Sequence, residues 1–468
     1  MGLGQNRNFK TMKNINRRNF IGKAALAGIG MAGAGAVLSS CKRKVADEKE
    51  LGLPPILKGA PKGKKLRAGL IGAGARGTGA AVNFISSGPD LEIAALADIF
   101  QDKIDACRER FASFNLPIPA ENCFTGFEGY KKVMALPDID VVILATPPQF
   151  RPDHFLEAVA TNKHVFMEKP VAVDPVGIRS IITSGKKAEA IGLNVVTGTQ
   201  RRHQEDYIAT YKLIMNGAIG TITSAKAFWN QDHVWYRERE PEWNDMEYMI
   251  RNWNNFCWLC GDHILDTHVH NIDVINWFIG KHPERAIGYG GRARRITGDQ
   301  YDFFSVDFDY GNGVSSHSMC RQIDSCANGT GELIMGTEGY TNCQDTIWDL
   351  KGNIKWQFEY PKDENGNPTK QIAVPAYVQE HMHLVYAIRT GNYVNEAEQT
   401  AISTLTAIMG RTAAYTGRAV TWDEIFKSDM DLGPAKIEFG PVNMAFDPPV
   451  PGTPLISTVA PKFNGQII

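Results

Sequence analysis

The densest run of proton-transferring side chains in the sequence is Gly261-Asp262-His263-Ile264-Leu265-Asp266-Thr267-His268-Val269-His270-Asn271-Ile272-Asp273. On a helix, Asp266 and His270 stand at i and i+4 and share one face. An imidazole there suits a general base, and the carboxylate beside it can orient a substrate or bias the ring. A single buried histidine is ordinarily a satisfied core residue. Three histidines and three aspartates in so short a run weaken that explanation for the segment as a whole. Metal ligation is the competing chemistry, because His263, His268, His270 and Asp266 all carry suitable donors. His268 and His270 diverge at i, i+2 on a helix, so no metal is expected. A second reactive position is Lys169 in Glu168-Lys169-Pro170, directly after the apolar run His164–Met167. A lysine at a strand's carboxyl end can donate to a substrate hydroxyl and stabilise developing alkoxide charge. Its plain alternative is a surface lysine.

These side chains need a scaffold and an electron acceptor, and residues 66–98 supply the signature of one. Leu66–Ile71 is a short apolar run of the kind a buried parallel strand shows. It breaks into Gly72-Ala73-Gly74-Ala75-Arg76-Gly77, then a helical stretch, then the apolar run 91–97 ending in Asp98. Gly72 permits the tight turn, Gly74 lets backbone N–H groups approach a pyrophosphate, and Gly77 lets helix pack close to strand. The phosphates then sit on the positive end of the helix. Asp98 lies where a carboxylate accepts both ribose hydroxyls and repels a 2′-phosphate, which favours NAD over NADP.

Alternating units continue the pattern. The sequence predicts helices over 101–111, 152–161 and 176–190 and strands over 139–145, 164–167 and 194–199, hence a doubly wound parallel sheet. Thr146 and Pro147 end one strand, where such sheets bind ligands. A second α/β domain follows, with a strand over 221–228 and a hairpin of 301–310 and 314–321 around Gly311-Asn312-Gly313. A further strand is predicted over 286–295, with helices over 380–389 and 396–416. Polar-aromatic clusters offer sugar contacts: Arg201, Arg202 and His203, which leave the last nucleotide-domain strand, and Trp235, Tyr236 and Trp253. A packed domain seam explains each cluster equally well. His381 is placed toward the cleft. Cys257-Trp258-Leu259-Cys260 has redox spacing but reads as packing in an aromatic segment.

The glycine loop, the Glu168-Lys169-Pro170 turn and the Asp266/His270 pair together resemble the Gfo/Idh/MocA family of NAD(P)-dependent sugar oxidoreductases, over residues 64–425. The resemblance implies a Rossmann domain followed by an α/β domain with a large open, mainly antiparallel sheet that often makes homo-oligomer contacts. It implies NAD as cofactor, bound by Gly72, Gly74, Ala75, Arg76, Gly77, Asp98, Thr146, Pro147, Glu168 and Lys169. It makes Lys169, Asp266 and His270 the catalytic set, with His270 taking a hydroxyl proton as hydride leaves the same carbon. Two departures bear on substrate: residues 253–263 replace the usual glycine-rich lead-in, and His268 stands where many members carry a small residue. Two chemistries fit: oxidation of a sugar hydroxyl, or the redox-neutral NAD-dependent glycoside cleavage of glycosyl hydrolase family 109. A catalytically dead NAD-binding protein is the third class, and retention of Lys169, Asp266 and His270 counts against it.

Length and composition set the frame. A chain of 468 residues, 43% hydrophobic and 22% charged, supports two folded domains. A formal charge of −1 with no long basic stripe argues against nucleic acid as a partner. Arg17-Arg18 followed by the Gly/Ala-rich stretch 24–37 has the layout of a twin-arginine export signal. Leu38-Ser39-Ser40-Cys41 resembles a lipoprotein processing box, which makes Cys41 the lipidated residue of a periplasmic, membrane-anchored protein. A plain cleaved signal is the alternative. The remaining seven cysteines are odd in number and scattered, with no disulfide framework. An exported NAD enzyme meets no free cofactor pool, so it should hold its cofactor tightly. The expected organisation is signal 1–41, tether 42–63, nucleotide domain 64–198, substrate and oligomerisation domain 199–439, and extended tail 440–468.

Overall fold

A computed structural model describes residues 46–369, 371–443 and 447–452. The expected export signal, residues 1–41, and the expected lipidation site Cys41 lie outside the described residues.

Six short strands form the first sheet: β1 (Leu66–Ile71), β2 (Leu91–Asp98), β3 (Cys123–Thr125), β4 (Val141–Leu144), β5 (His164–Met167) and β6 (Val195–Thr197). Their order is β3-β2-β1-β4-β5-β6, and every pair is parallel. Apolar runs such as Val141–Leu144 are buried on both faces because helices cover both. Those helices are α1 (Ala75–Ser86), α2 (Gln101–Ala112), α3 (Gly129–Met134), α4 (Arg151–Ala160) and α5 (Pro175–Ala190). Asp174 caps α5 by accepting from the Gly177 amide at 2.8 Å. Strand order reverses between β1 and β4, so the ligand crevice of this sheet opens at their carboxyl ends.

The second domain begins with α6 (Glu205–Met215) and β7 (Ile222–Gln231). Four short helices follow: α7 (Asp245–Arg251), α8 (Cys257–Cys260), α9 (His263–Asp266) and α10 (Val269–Ile279). Then come β8 (Arg285–Gly291), β9 (Phe303–Asp309), β10 (Ser315–Gln322), β11 (Gly329–Gly336), β12 (Tyr340–Thr341), β13 (Thr346–Trp348) and β14 (Ile354–Gln357). The chain closes with α11 (Ala376–Thr390), α12 (Ala397–Thr416), β15 (Val420–Thr421) and α13 (Trp422–Lys427). The nine-stranded sheet runs β14-β13-β12-β11-β7-β10-β9-β8-β15, antiparallel except for the parallel pair β7/β10. Helices α10 and α12 cover one face. The other face leaves Ile287, Tyr289 and Met335 exposed.

Four expectations change. The strand predicted over 286–295 stops at Gly291, because the amides of Ala293, Arg294 and Arg295 all turn in to donate to Asp302 Oδ2. Strands β11–β14 were not predicted; β11 hides behind its glycines, and Phe228 lies over the vacant side of Gly331. The supposed tether is docked from residue 46 on. The Ala46 amide donates to Asn216 Oδ1 at 2.8 Å, Pro55 O accepts from His383 Nε2 at 2.7 Å, and the Ala60 amide donates to Ser87 O at 2.8 Å. Finally, α11 lies after the second domain's strands yet packs on the first sheet. Its Leu384 and Val385 share a core with Leu70, Phe84, Phe166 and Val196.

Candidate active site

The loop after β1 is held by Asp98, whose Oδ2 accepts from the Ala73 amide at 2.7 Å and Oδ1 from the Phe100 amide at 3.0 Å. Burial pushes this carboxyl up, and the two amides oppose that shift. Gly72, at φ +94°, turns so close to β4 that a Cβ would stand 2.7 Å from the Thr146 nitrogen. At Gly77 a Cβ would come within 1.8 Å of Gly72 O. Gly74 is different. Its φ of −68° is open to any residue, and a Cβ there would meet nothing within 4 Å among the described residues. Neither backbone nor neighbours require that glycine, so the space above it is a cradle left for something else. It sits at the N-cap of α1, whose first turn has no side-chain cap and no acid. Free amides facing open space suit a pyrophosphate, and the residues present fit a dinucleotide.

Arg76 leaves this loop to pair with Glu168 and lies 3.5 Å from Glu380, with its guanidinium 4.5 Å over the Tyr377 ring. Glu380 is fully buried on α11, and burial, reinforced by Glu168, raises its carboxyl well above the usual range. Spacing gave no reason to bring residues 377 and 380 to the glycine loop; only the return of α11 to the first sheet does so. Thr146, at the end of β4, shares a 3.2 Å hydrogen bond with His154 Nδ1, and burial lowers that imidazole to about 3.

Lys169 follows β5, and Nζ donates to the Asp266 backbone oxygen at 2.5 Å. Burial lowers this ammonium, while Asp266 and Glu168 oppose the shift. Buried Arg151 anchors the turn by donating to Pro170 O. Asp266 and His270 do not share one helix face. The amides of Thr267 and His268 both donate to His263 O at 3.1 Å, which closes α9 and lets α10 start anew. Lys169 links the two helices instead, contacting Asp266 directly and acting on His270 through its charge. His270 lies near-parallel to Trp229, with ring centroids 5.9 Å apart. Burial pushes its pKa well below the ordinary histidine value, and Lys169, Arg201 and Arg76 push the same way. The ring is therefore neutral near neutral pH, as a base must be.

Asp262 sets α9 in place. It adopts φ +74°, where a side chain is strained, and its buried carboxylate accepts from the His263 amide, the Tyr301 amide and the Tyr415 hydroxyl.

Several proposed sugar contacts are committed elsewhere. Arg201 pairs with buried Glu332, which also accepts from Tyr207 at 3.0 Å and Asn271 at 2.6 Å. Arg202 grips Asp273 through two bonds of 2.8 and 2.9 Å. His203 is buried against His383, with Nδ1 atoms 2.6 Å apart, and lies 3.2 Å from Glu396. His268 is fully buried on Ser318 at 2.7 Å and is lowered by burial to about 3. His381 is wedged between Phe84 and Phe166, on the sheet's core side rather than in the cleft. Of the remaining positions, Trp235 and Tyr236 are exposed, and Trp253 is half-buried against the cluster of Phe100, Phe256 and Trp258. Trp229, with Arg201 5.7 Å from its ring centroid, was not predicted. Cys257 and Cys260 are free, buried thiols, and burial pushes Cys257 to about 12.

Comparison with known proteins decides the family. The model for the oxidoreductase family with NAD-binding Rossmann fold matches residues 66–195, and the Gfo/Idh/MocA C-terminal domain model matches residues 207–341. The chain belongs to the Gfo/Idh/MocA family. It is 25% identical over 248 residues to a glycosyl hydrolase family 109 protein of Shewanella baltica, covering 52% of this chain and 53% of that one. An alpha-N-acetylgalactosaminidase of Shewanella oneidensis matches at the same identity and coverage. The chain thus spans about half the length of the curated relatives it matches. Aldose-aldose oxidoreductase from Caulobacter crescentus shares the Gfo/Idh/MocA fold with a TM-score of 0.59, at 19% identity, over 76% of this chain and 100% of that one. Levoglucosan dehydrogenase, solved with NADH and levoglucosan, gives 0.60 at 19% identity, over 76% and 99%.

Proposed function

We propose that this protein oxidises a hydroxyl of a sugar or glycoside, with NAD held tightly in the crevice between β1 and β4. The observation that carries the reading is the convergence of Lys169, Asp266 and His270 beside the glycine loop, with His270 buried and neutral. Bound there, NAD would supply the hydride acceptor for the carbinol carbon. His270 takes the hydroxyl proton, Lys169 Nζ donates to the same oxygen as charge develops, and Asp266 orients the sugar. Burial of His270, beside half-buried Lys169, limits the water that could screen these charges. Asp98, already accepting two amides, presents the carboxylate for the ribose hydroxyls.

A second reading is redox-neutral glycoside cleavage, in which oxidation at C3 acidifies the C2 proton, the glycoside is eliminated, water adds and hydride returns. The names of the curated relatives favour it. Residues 17–41 support export by the twin-arginine route with lipidation at Cys41, where a self-regenerating cofactor cycle has most value. Ile287, Tyr289 and Met335, exposed on one face of the open sheet, support self-association. The test offers purified protein a panel of glycosides in heavy water with no added cofactor. NADH that accumulates once, with a ketosugar product, is expected for the dehydrogenase. Released sugar carrying C2 deuterium, with no net NADH, assigns the glycosidase. Neither outcome from any glycoside refutes both.

A further inference from the structure

We propose that residues 431–442 form a clasp across the cofactor crevice that makes the dinucleotide a non-exchanging prosthetic group. The inference rests on the NAD reading of that crevice and names what retains the nucleotide there.

After α13 the chain leaves the second domain and returns to the first. Arg179 of α5 donates to Phe426 O at 2.8 Å and Ser428 O at 2.6 Å. The Leu432 amide donates at 3.1 Å to Asp174 Oδ2, on the carboxylate that caps α5 beyond β5. Gly433 passes Gln149 beyond β4, so closely that a Cβ would stand 2.9 Å from Nε2. Phe439 packs 5.0 Å from Phe127 beyond β3 and 6.2 Å from Phe100 beyond β2. The segment therefore crosses the carboxyl ends of β5, β4, β2 and β3 in turn. That is the edge from which the Gly72–Gly77 loop, after β1, faces outward.

Both ends are fastened. At the far end, the Gly440 amide donates to Asn244 Oδ1 at 3.1 Å, the Met246 amide to Gly440 O at 3.1 Å, and the Val442 amide to Asp245 Oδ2 at 3.0 Å. These anchors lie at the start of α7, which is itself pinned to the nucleotide domain. Arg251 stacks 3.9 Å over Phe100 and pairs with Asp102 at 3.1 Å, and Met246, Met249 and Ile250 share a core with Phe100 and Trp258. Helix α7 thus walls the ribose end of the crevice beside Asp98 and Phe100, and the clasp is tied to that wall. Between its anchors Ile437 packs against the cluster of Phe100, Met246 and Trp258, while Ala435 and Lys436 are exposed. A dinucleotide seated under it leaves only when the Phe439 contacts and the Asn244 and Asp245 bonds open together.

The experiment uses holoprotein and follows exchange of bound NAD with added radiolabelled NAD, together with nucleotide retained through gel filtration. Two variants are compared with wild type: Phe439→Ala, and a chain with a specific protease sequence inserted between Ala435 and Lys436, cut after purification. Losing two aromatic contacts speeds exchange about tenfold or more. Cutting the exposed stretch has the same effect without removing any packed side chain. If wild-type protein holds NAD and the cut protein exchanges no faster, the clasp is overturned. If wild-type protein neither carries nor binds NAD, the cofactor reading falls instead. Should Phe439→Ala fail to fold, the cut protein decides alone.

Discussion

Two glycines three residues apart separate a cofactor requirement from a folding requirement. In Gly77→Ala the new methyl would stand 1.8 Å from Gly72 O, a backbone atom with no rotamer to escape into. Helix and loop must part by more than about 1 Å, and overpacking of that kind costs about 1–3 kcal/mol or more, only partly offset by about 1 kcal/mol of helix propensity. In Gly74→Ala the methyl meets nothing within 4 Å among the described residues, and the backbone is already in a region open to alanine. The fold loses only the difference between glycine and alanine at an N-cap, about 0.5–1 kcal/mol. The methyl does occupy the cradle over the α1 amides. Displacing one charge-assisted bond to a pyrophosphate costs about 1.5–3 kcal/mol, or about 10–150-fold in affinity. Thermal melts of nucleotide-free protein, paired with calorimetric NAD titrations, measure both. The expected pattern is Gly74→Ala with a nearly wild-type melt and weak NAD binding, and Gly77→Ala with a depressed melt. Wild-type NAD affinity in Gly74→Ala would refute the assignment of that space to the cofactor.

Lys169→Ala removes the donor aimed at the reacting oxygen and should lower turnover by at least about 100-fold; unchanged turnover sinks the catalytic assignment. Because burial and three cations hold His270 neutral, kcat/KM should stay level as pH falls through 6.5 and decline only as the ring protonates at lower pH. A pH profile already halved at 6.5 contradicts that base. Arg201→Met leaves Glu332 buried without its cation and should cost about 3–5 kcal/mol in a denaturant melt, whereas a sugar-contacting arginine would leave stability unchanged and raise KM.

What the sequence disclosed and what it concealed divide by the range of the interaction. Leu66–Ile71 and His164–Met167 are strands with the bounds read from their apolar runs, because burial on both faces leaves a local imprint. The glycine loop was equally legible, since its constraints act within a few residues. The break between Asp266 and His270 was not. It depends on where the His263 carbonyl finds donors, and a helical period continues through it unmarked. Arg201, Arg202, His203 and His268 looked like cleft residues because polarity and position suggested it. Their partners, Glu332, Asp273, His383 and Ser318, lie 50 to 180 residues away in the chain, and no local pattern encodes those pairings. Glu380 and the docking of residues 46–60 were missed for the same reason.

The return of α11 to the first sheet has a consequence for biosynthesis. A ribosome that has finished β6 has made every strand of the nucleotide sheet, yet the side that receives Leu384 and Val385 is still bare. Elongation at about 5–20 residues per second leaves about 10–40 s before residue 390 is made. Through that interval an apolar seat around Phe84, Phe166 and Val196 is open to chaperones or to other nascent chains. The nucleotide domain is therefore not an early-finished module onto which a second domain is later appended. It matures late, with the second domain, and only the completed chain has Glu380 and Tyr377 beside Arg76.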